Sequence, residues 1–341
     1  MLKLSDNLDL PIDFVTERIA FLARTGAGKS GGMRVLFEQM HDAGQFCVFI
    51  DPKGDGWGIR ADGIGKGKPV LIIGGDHADI PLEPTAGKYI AEFLVRERVS
   101  TVLDMSDLGT QQMWTFVSDL GSRMYRLNRD VVHIFIDEVD MIAGQQYFDP
   151  KCLHAVQLIQ NKGRGRGFGL SIATQRPQIT NKTVLNASGT LVAMQTMGDD
   201  ALKVVKSLLG QTGSKETITA ILSELPLLQK REAFVYSPQT LGIEPVRIRF
   251  AAFQTFDSMR TPRPGEARQQ PKSVADIDLS AIQRDMAETI EHVRAEDPKT
   301  LKKQIAELNK EITDLRKGGN SPAPEVREVE VVKKVPVLDS D

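Results

Sequence analysis

Eight residues near the N-terminus have the types and spacing to hold a phosphate chain: Ala23-Arg24-Thr25-Gly26-Ala27-Gly28-Lys29-Ser30. Glycines at 26 and 28 let the backbone curl without a Cβ clash, so successive N–H groups turn toward one point. A helix starting there adds its positive end. In such a loop Lys29 reaches the β- and γ-phosphates and the Ser30 hydroxyl binds Mg²⁺. The expected nucleotide-binding set is Arg24, Thr25, Gly26, Ala27, Gly28, Lys29, Ser30 and Gly31. The usual pattern opens on glycine. Ala23 stands there instead and is small enough for the same turn.

A phosphate loop alone does not separate a kinase from a motor. The apolar run Val131–Ile136 ends in Asp137-Glu138. An acid at the carboxyl end of a buried strand lies beside the phosphates in this kind of sheet. Asp137 is therefore the second Mg²⁺ ligand beside Ser30. Glu138 is the carboxylate that hydrolysis needs, to orient and deprotonate water.

A third apolar run ends in Thr174-Gln175-Arg176-Pro177. Gln175 is suited to sensing the γ-phosphate or placing the water. Before it runs Gly163-Arg164-Gly165-Arg166-Gly167. Arg164 and Arg166 have three open roles: a finger reaching a neighbouring subunit's γ-phosphate, contacts to nucleic-acid phosphates, or a plain basic turn.

These side chains need a scaffold, and the apolar pattern provides one. Strands are expected at Ile19–Leu22, Phe46–Ile50, Pro69–Ile73, Thr101–Leu103, Val131–Ile136, Gly169–Thr174, Thr190–Met194, Ala233–Tyr236 and Val246–Phe250. Helix-length segments lie between most of them, at Gly31–Asp42, Thr85–Arg98, Thr110–Leu127, Cys152–Lys162 and Asp200–Leu209. Unbroken apolar strands alternating with helices imply an α/β fold with a parallel sheet covered on both sides. The last two strands are close enough to form a hairpin instead.

Composition shifts near residue 257. The expected division is an ATPase domain at 1–256, a Pro-, Arg- and Gln-rich linker at 257–276, a helical extension at 277–317 and a flexible tail at 318–341. In the extension, Leu301, Ile305, Leu308, Ile312 and Leu315 repeat at 4, 3, 4, 3, which is a coiled-coil seam. It is too short to be stable without partners.

The three elements in this order resemble the HerA/FtsK superfamily of P-loop motor ATPases, with the HerA helicase ATPase core as the nearest match. The resemblance rests on Thr25–Ser30, on Ile50-Asp51-Pro52-Lys53-Gly54-Asp55, on the Asp137-Glu138 strand end and on Arg166–Pro177. It covers roughly residues 15–255. It implies a RecA-like fold of the additional-strand, catalytic-glutamate type. It further implies ATP and Mg²⁺ as ligands, a hexameric ring with ATP sites between subunits, and movement of double-stranded DNA through the pore. HerA proteins usually carry an N-terminal β-barrel. With the phosphate loop at residue 23, none is expected here, and the usual nuclease partner is put in question. Two other readings stay open: an ATP-driven scaffold for a nuclease or NAD-degrading anti-phage effector, and a conjugation or packaging motor.

Other features are weaker. The glycine-dense stretch Gly54–Lys68, with Lys53 just before it and Trp57, Arg60, Lys66 and Lys68 within it, is either a pore loop touching DNA or a surface excursion. Asp51 either nears the nucleotide or caps a turn. The five histidines show no ligand spacing, so no metal beyond Mg²⁺ is expected. Two cysteines fit a reducing, cytoplasmic setting, and no apolar run approaches the roughly 18 residues of a membrane span.

Net charge is −2, which argues against a uniformly basic nucleic-acid coat. The charge is unevenly spread. Residues 1–150 carry 15 basic and 22 acidic side chains, 151–275 carry 17 and 8, and 276–341 carry 11 and 15. The basic middle segment leaves room for a local DNA-facing surface.

Overall fold

The computed structural model describes residues 1–210 and 214–260, and beyond them only 271, 280, 284, 306, 308–310 and 312. The chain divides into two units, residues 1–291 and 292–341.

The first unit is built on a nine-stranded sheet. A small antiparallel pair, β1 (Leu2–Lys3) and β2 (Asp9–Leu10), precedes it. The elements then follow as β3 (Arg18–Leu22), α1 (Lys29–Asp42), β4 (Cys47–Asp51), β5 (Leu71–Ile73), α2 (Gly87–Glu97), β6 (Thr101–Asp104) and α3 (Thr110–Leu127). After these come β7 (Val132–Ile136), α4 (Pro150–Lys162), β8 (Phe168–Thr174), α5 (Lys182–Asn186), β9 (Thr190–Met194), α6 (Asp199–Leu209) and α7 (Lys215–Glu224). The sheet closes with β10 (Glu232–Ser237) and β11 (Gly242–Arg249).

The strand order is β11-β10-β9-β3-β8-β7-β4-β6-β5. From β9 to β5 every pair is parallel, while β9–β10 and β10–β11 are antiparallel. The hairpin alternative for the last two strands is therefore the one realised. Pro245 is tolerated inside β11 because β11 is the sheet edge.

The unbroken apolar strands are buried on both faces. Val48 and Ile50 of β4 and Ile134 and Ile136 of β7 enter the core under α2, α3 and α4. Cys47, Phe49 and Phe135 face the other way, into the core with Phe37 of α1. One sheet thus anchors two apolar layers, which fixes its strand ends as a rigid rim.

Two topological facts position the site. The parallel register pairs Leu22 with Thr174 and Ile136 with Ile172, so Ala23, Gln175 and Asp137 all leave the sheet at the same edge. And β8 is inserted between β3 and β7. This puts Gln175 between the phosphate loop and the acidic strand end.

The sequence pattern did not signal β1, β2 or α7. Packed chain continues through Arg260, the fourth residue of the expected linker. Arg34 donates to the Phe256 carbonyl and to Ser258 Oγ, and the Arg260 guanidinium lies over the Phe256 ring at 5.3 Å. The rest of the linker except Pro271, the tail and most of the seam lie outside the described residues. Of the seam, Leu308 and Ile312 are described, both helical and exposed.

Candidate nucleotide site

The loop after β3 is pinned at its start. Ala23 N–H donates to Thr174 O at 3.4 Å and Arg24 N–H to Gln195 O at 2.8 Å. Gly26 has φ +82° and Gly28 φ +99°, values that disfavour any side chain. At Gly28 a Cβ would also meet the Arg231 backbone nitrogen at 3.2 Å. Ala23 is not among the residues with positive φ, which explains why alanine serves there. Helix α1 begins at Lys29 with no side chain capping it, so its first N–H groups face the loop.

Behind the loop lies a charge cluster. Lys29 is buried and its Nζ donates to Asp137 and, at 3.2 Å, to Glu138. Ser30 Oγ donates to Asp137 Oδ2 at 2.7 Å, and the Glu138 N–H donates to Asp137 Oδ1 at 2.8 Å. Burial pushes the Asp137 carboxyl up, but the Lys29 charge and these donors outweigh it and hold the group below its usual range. Glu138 sits at φ +46°, a left-handed conformation that costs a glutamate energy and recurs at functional sites. That turn sends its carboxylate back over the rim. There Gln175 Nε2 and Lys53 Nζ also donate to it, and Thr25 Oγ1 donates to Gln175 Oε1. One chain of hydrogen bonds thus runs from phosphate loop to Gln175 to Glu138 to Lys29.

A cavity of about 720 Å³ opens in front of this cluster. Its inner wall is Gly26, Gly28, Lys29, Ser30, Gly31, Lys53 and Gln175. Its outer wall is a strap after β11, including Phe250, Phe253 and Asp257. Helix α1 holds the strap. Buried Arg34 donates to Asp55 O, Phe256 O and Ser258 Oγ and lies over Phe253, while Glu38 accepts the backbone N–H groups of Gln254 and Thr255.

The residues fit both expected ligands. The cavity is of nucleotide size, and its floor combines positive-φ glycines, an open helix N-terminus and a lysine. Ser30 and Asp137 supply hard oxygen donors side by side, as Mg²⁺ requires. Among the described residues no cluster of three His, Cys, Asp or Glu could cage a metal.

Not every expected site residue joins this cluster. Arg164 and Arg166 form a turn before β8, at the other end of that strand from Gln175. Seven residues of strand put them roughly 20 Å from their own phosphate loop. Arg166 is committed within the chain. Its guanidinium lies 4.5 Å from the Tyr125 ring centre, and Nη1 donates to Tyr125 O and Arg126 O at the end of α3. Within the chain Arg166 thus caps the carboxyl end of α3. Arg164 is exposed.

The 54–68 stretch is anchored at Trp57, Arg60 and Lys68, while Gly63, Ile64 and Lys66 are exposed. Trp57 sits 4.0 Å from His77 and 5.3 Å from Phe256, ring centre to ring centre. Arg60 pairs with Asp79, and Lys68 with Asp42. Asp51 caps the turn, accepting from Lys53 N at 3.0 Å and Gly56 N at 2.5 Å. Burial raises its pKa to about 7. Sequence reasoning grouped Lys53 with the 54–68 stretch, as a pore loop or a surface excursion, and passed over Arg231 and the strap. The Ile50–Asp55 string was the available signal for Lys53, since it follows a strand of the same sheet. Nothing local marked Arg231, whose φ of +73° sets it against Gly28.

No protein-family model matches the sequence, and no curated protein sequence matches it. Solved structures do. The bacterial conjugative coupling protein TrwBΔN70 aligns at a TM-score of 0.52 with 10% identity, over 76% of this chain and 91% of that one. VirB4 of Thermoanaerobacter pseudethanolicus aligns at 0.50 with 12% identity, over 69% and 89%. The chain has the RecA-like P-loop NTPase fold. The genome packaging NTPase B204 from Sulfolobus turreted icosahedral virus 2 is also similar, at 0.47 with 11% identity over 69% of this chain and 96% of that one. Among the described residues, no helix is long and apolar enough to cross a membrane.

Proposed function

We propose that this chain hydrolyses Mg-ATP to move double-stranded DNA, acting as a ring of identical subunits of HerA/FtsK type. The observation that carries the ATPase reading is the position of β8. It sets Gln175 against Glu138 on one side and Thr25 on the other, one strand from the phosphate loop. This arrangement couples a base carboxylate to the phosphate loop, as water activation at the terminal phosphate requires.

Roles follow from the geometry. Lys29 and the N–H groups of the loop and of α1 bind phosphates. Ser30 and Asp137 hold Mg²⁺, which neutralises charge on the phosphate oxygens. Glu138 takes a proton from water as the water oxygen bonds to the terminal phosphorus. The bridging oxygen departs with its electron pair on ADP. Gln175 ties the state of the loop to that of the base. Arg164, exposed and far from its own site, is the finger for a neighbouring subunit.

The motor reading draws on fold likeness to a conjugative coupling protein and on the basic 151–275 segment. The HerA helicase type, a hexamer and a cytoplasmic location are the finer parts of this proposal. A scaffold for an effector is the second reading, favoured by the exposed Leu308 and Ile312 of the helical extension.

The test is ATPase rate with and without duplex DNA on size-defined oligomers, with Glu138→Gln beside wild type. Glu138→Gln is expected to keep ATP binding and lose at least about 100-fold in kcat. Wild-type turnover in that variant overturns the base assignment. Stimulation by DNA supports the motor, while indifference to DNA with a co-purifying effector supports the scaffold.

A further inference from the structure

The Glu138 carboxylate is held asymmetrically. Lys29 Nζ, Lys53 Nζ and Gln175 Nε2 all donate to Oε1. Among the described residues no donor reaches Oε2. A carboxylate gripped by one oxygen presents the other in a fixed direction, which is what a base that must meet one water requires.

The three donors are not equivalent. Lys29 is shared with Asp137 and stands at the phosphate loop, so a bound triphosphate competes for it. Gln175 is neutral, and its carbonyl is engaged by Thr25. Lys53 brings a full charge, and a charge-assisted bond is roughly twice as strong as a neutral one. It also comes from an element separate from the phosphate loop.

That element is rigid at the point that matters. Lys53 N–H is held by Asp51 Oδ1 at 3.0 Å, and Gly56 N–H by Asp51 Oδ2 at 2.5 Å. The intervening Gly54 has φ +79°, and a Cβ there would lie 2.7 Å from Ser106 Oγ. The backbone is therefore fixed on the ends of β4 and β6. The side chain, 41% exposed, runs along the cavity wall to Glu138.

We propose that Lys53 is a positioning residue for hydrolysis: it clamps Glu138 through Oε1 and so aims Oε2 at the attacking water. This rests on the ATPase reading above. It replaces contact with DNA phosphates as the role of this lysine.

The test uses the full chain with Mg-ATP and compares wild type, Glu138→Gln, Lys53→Met and Lys53→Arg. Three quantities are measured: kcat and KM, the Kd of a fluorescent ADP analogue, and the thermal midpoint. Lys53→Met is expected to lower kcat by about tenfold or more while KM and Kd stay within about twofold. Lys53→Arg keeps a cation at that place and is expected to recover most of kcat. A merely structural lysine would lower the thermal midpoint and would not split kcat from Kd.

Several results overturn the proposal. One is wild-type kcat in Lys53→Met. Another is a raised Kd with kcat retained, which makes Lys53 a phosphate ligand. A third is a drop in kcat that Lys53→Arg does not relieve and that follows the thermal midpoint. An inactive Glu138→Gln with a normal Lys53→Met sinks this inference alone. A wild type without turnover sinks the ATPase reading and this inference with it.

Discussion

His133 interrupts the apolar run of β7, the strand that delivers Asp137 and Glu138, and it is fully buried. Its Nδ1 lies 2.7 Å from Val15 O and its Nε2 2.8 Å from Ser171 Oγ. A carbonyl only accepts, so Nδ1 carries the hydrogen and Nε2 accepts from the serine hydroxyl. Neutral imidazole satisfies both partners, and a second proton on Nε2 would displace the serine hydrogen. Burial lowers the pKa, the Val15 bond opposes this weakly, and the group falls from 6.5 to about 4. A histidine depressed in the folded state is protonated first in the unfolded chain. Stability is therefore lost as pH drops through 6.5 and stops falling below about 4. Between pH 7 and pH 5 this one group removes about 2 kcal/mol. His133→Asn keeps a donor for Val15 O but abandons Ser171. It should be less stable than wild type at pH 7 by about 1–3 kcal/mol. Because asparagine does not titrate, that gap should close by about 2 kcal/mol at pH 5. Urea unfolding of both nucleotide-free proteins at pH 7, 6 and 5, followed by tryptophan fluorescence, measures the gap directly. A gap that stays constant across that range refutes the account of His133 as a buried neutral group.

Other substitutions separate architecture from chemistry. Arg166→Ala removes the Tyr125 stack and two carbonyl contacts, and should cost about 1–2 kcal/mol in urea unfolding without changing nucleotide Kd. Arg164→Ala should leave stability within about 0.5 kcal/mol and abolish turnover. Mixed with Lys29→Ala subunits it should regain activity, and mixed rings that stay inactive reject the trans finger. Gly28→Ala places a Cβ at φ +99° and 3.2 Å from Arg231 N, so nucleotide affinity should drop by at least about tenfold in a binding titration. Arg34→Met leaves the strap without its buried donor, and should destabilise by about 2–3 kcal/mol in urea unfolding.

Much of the site was legible because its requirements are local. The glycines at 26 and 28 answer a φ demand set within the loop itself. The acids at 137 and 138 end an apolar run whose burial is written in its own residues. The strap could not be read that way. Phe253 reaches the cavity only because Arg34 and Glu38, more than 200 positions earlier, hold the chain across α1. Arg166 is a similar case: the Arg-Gly turn left its role open, and only the approach of α3 gave it Tyr125.

The sequence by itself determined the glycine-rich loop after β3, the acidic pair that ends β7 and a buried parallel sheet, because spacing, side-chain chemistry and backbone preference act within a few residues. Only the tertiary structure decided that β8 lies between β3 and β7, that Lys53 turns inward to Glu138, and that the antiparallel β10–β11 pair carries a strap over the loop. Those outcomes depend on which distant surfaces pack together, and packing energy is shared across the whole sheet rather than encoded at any one position.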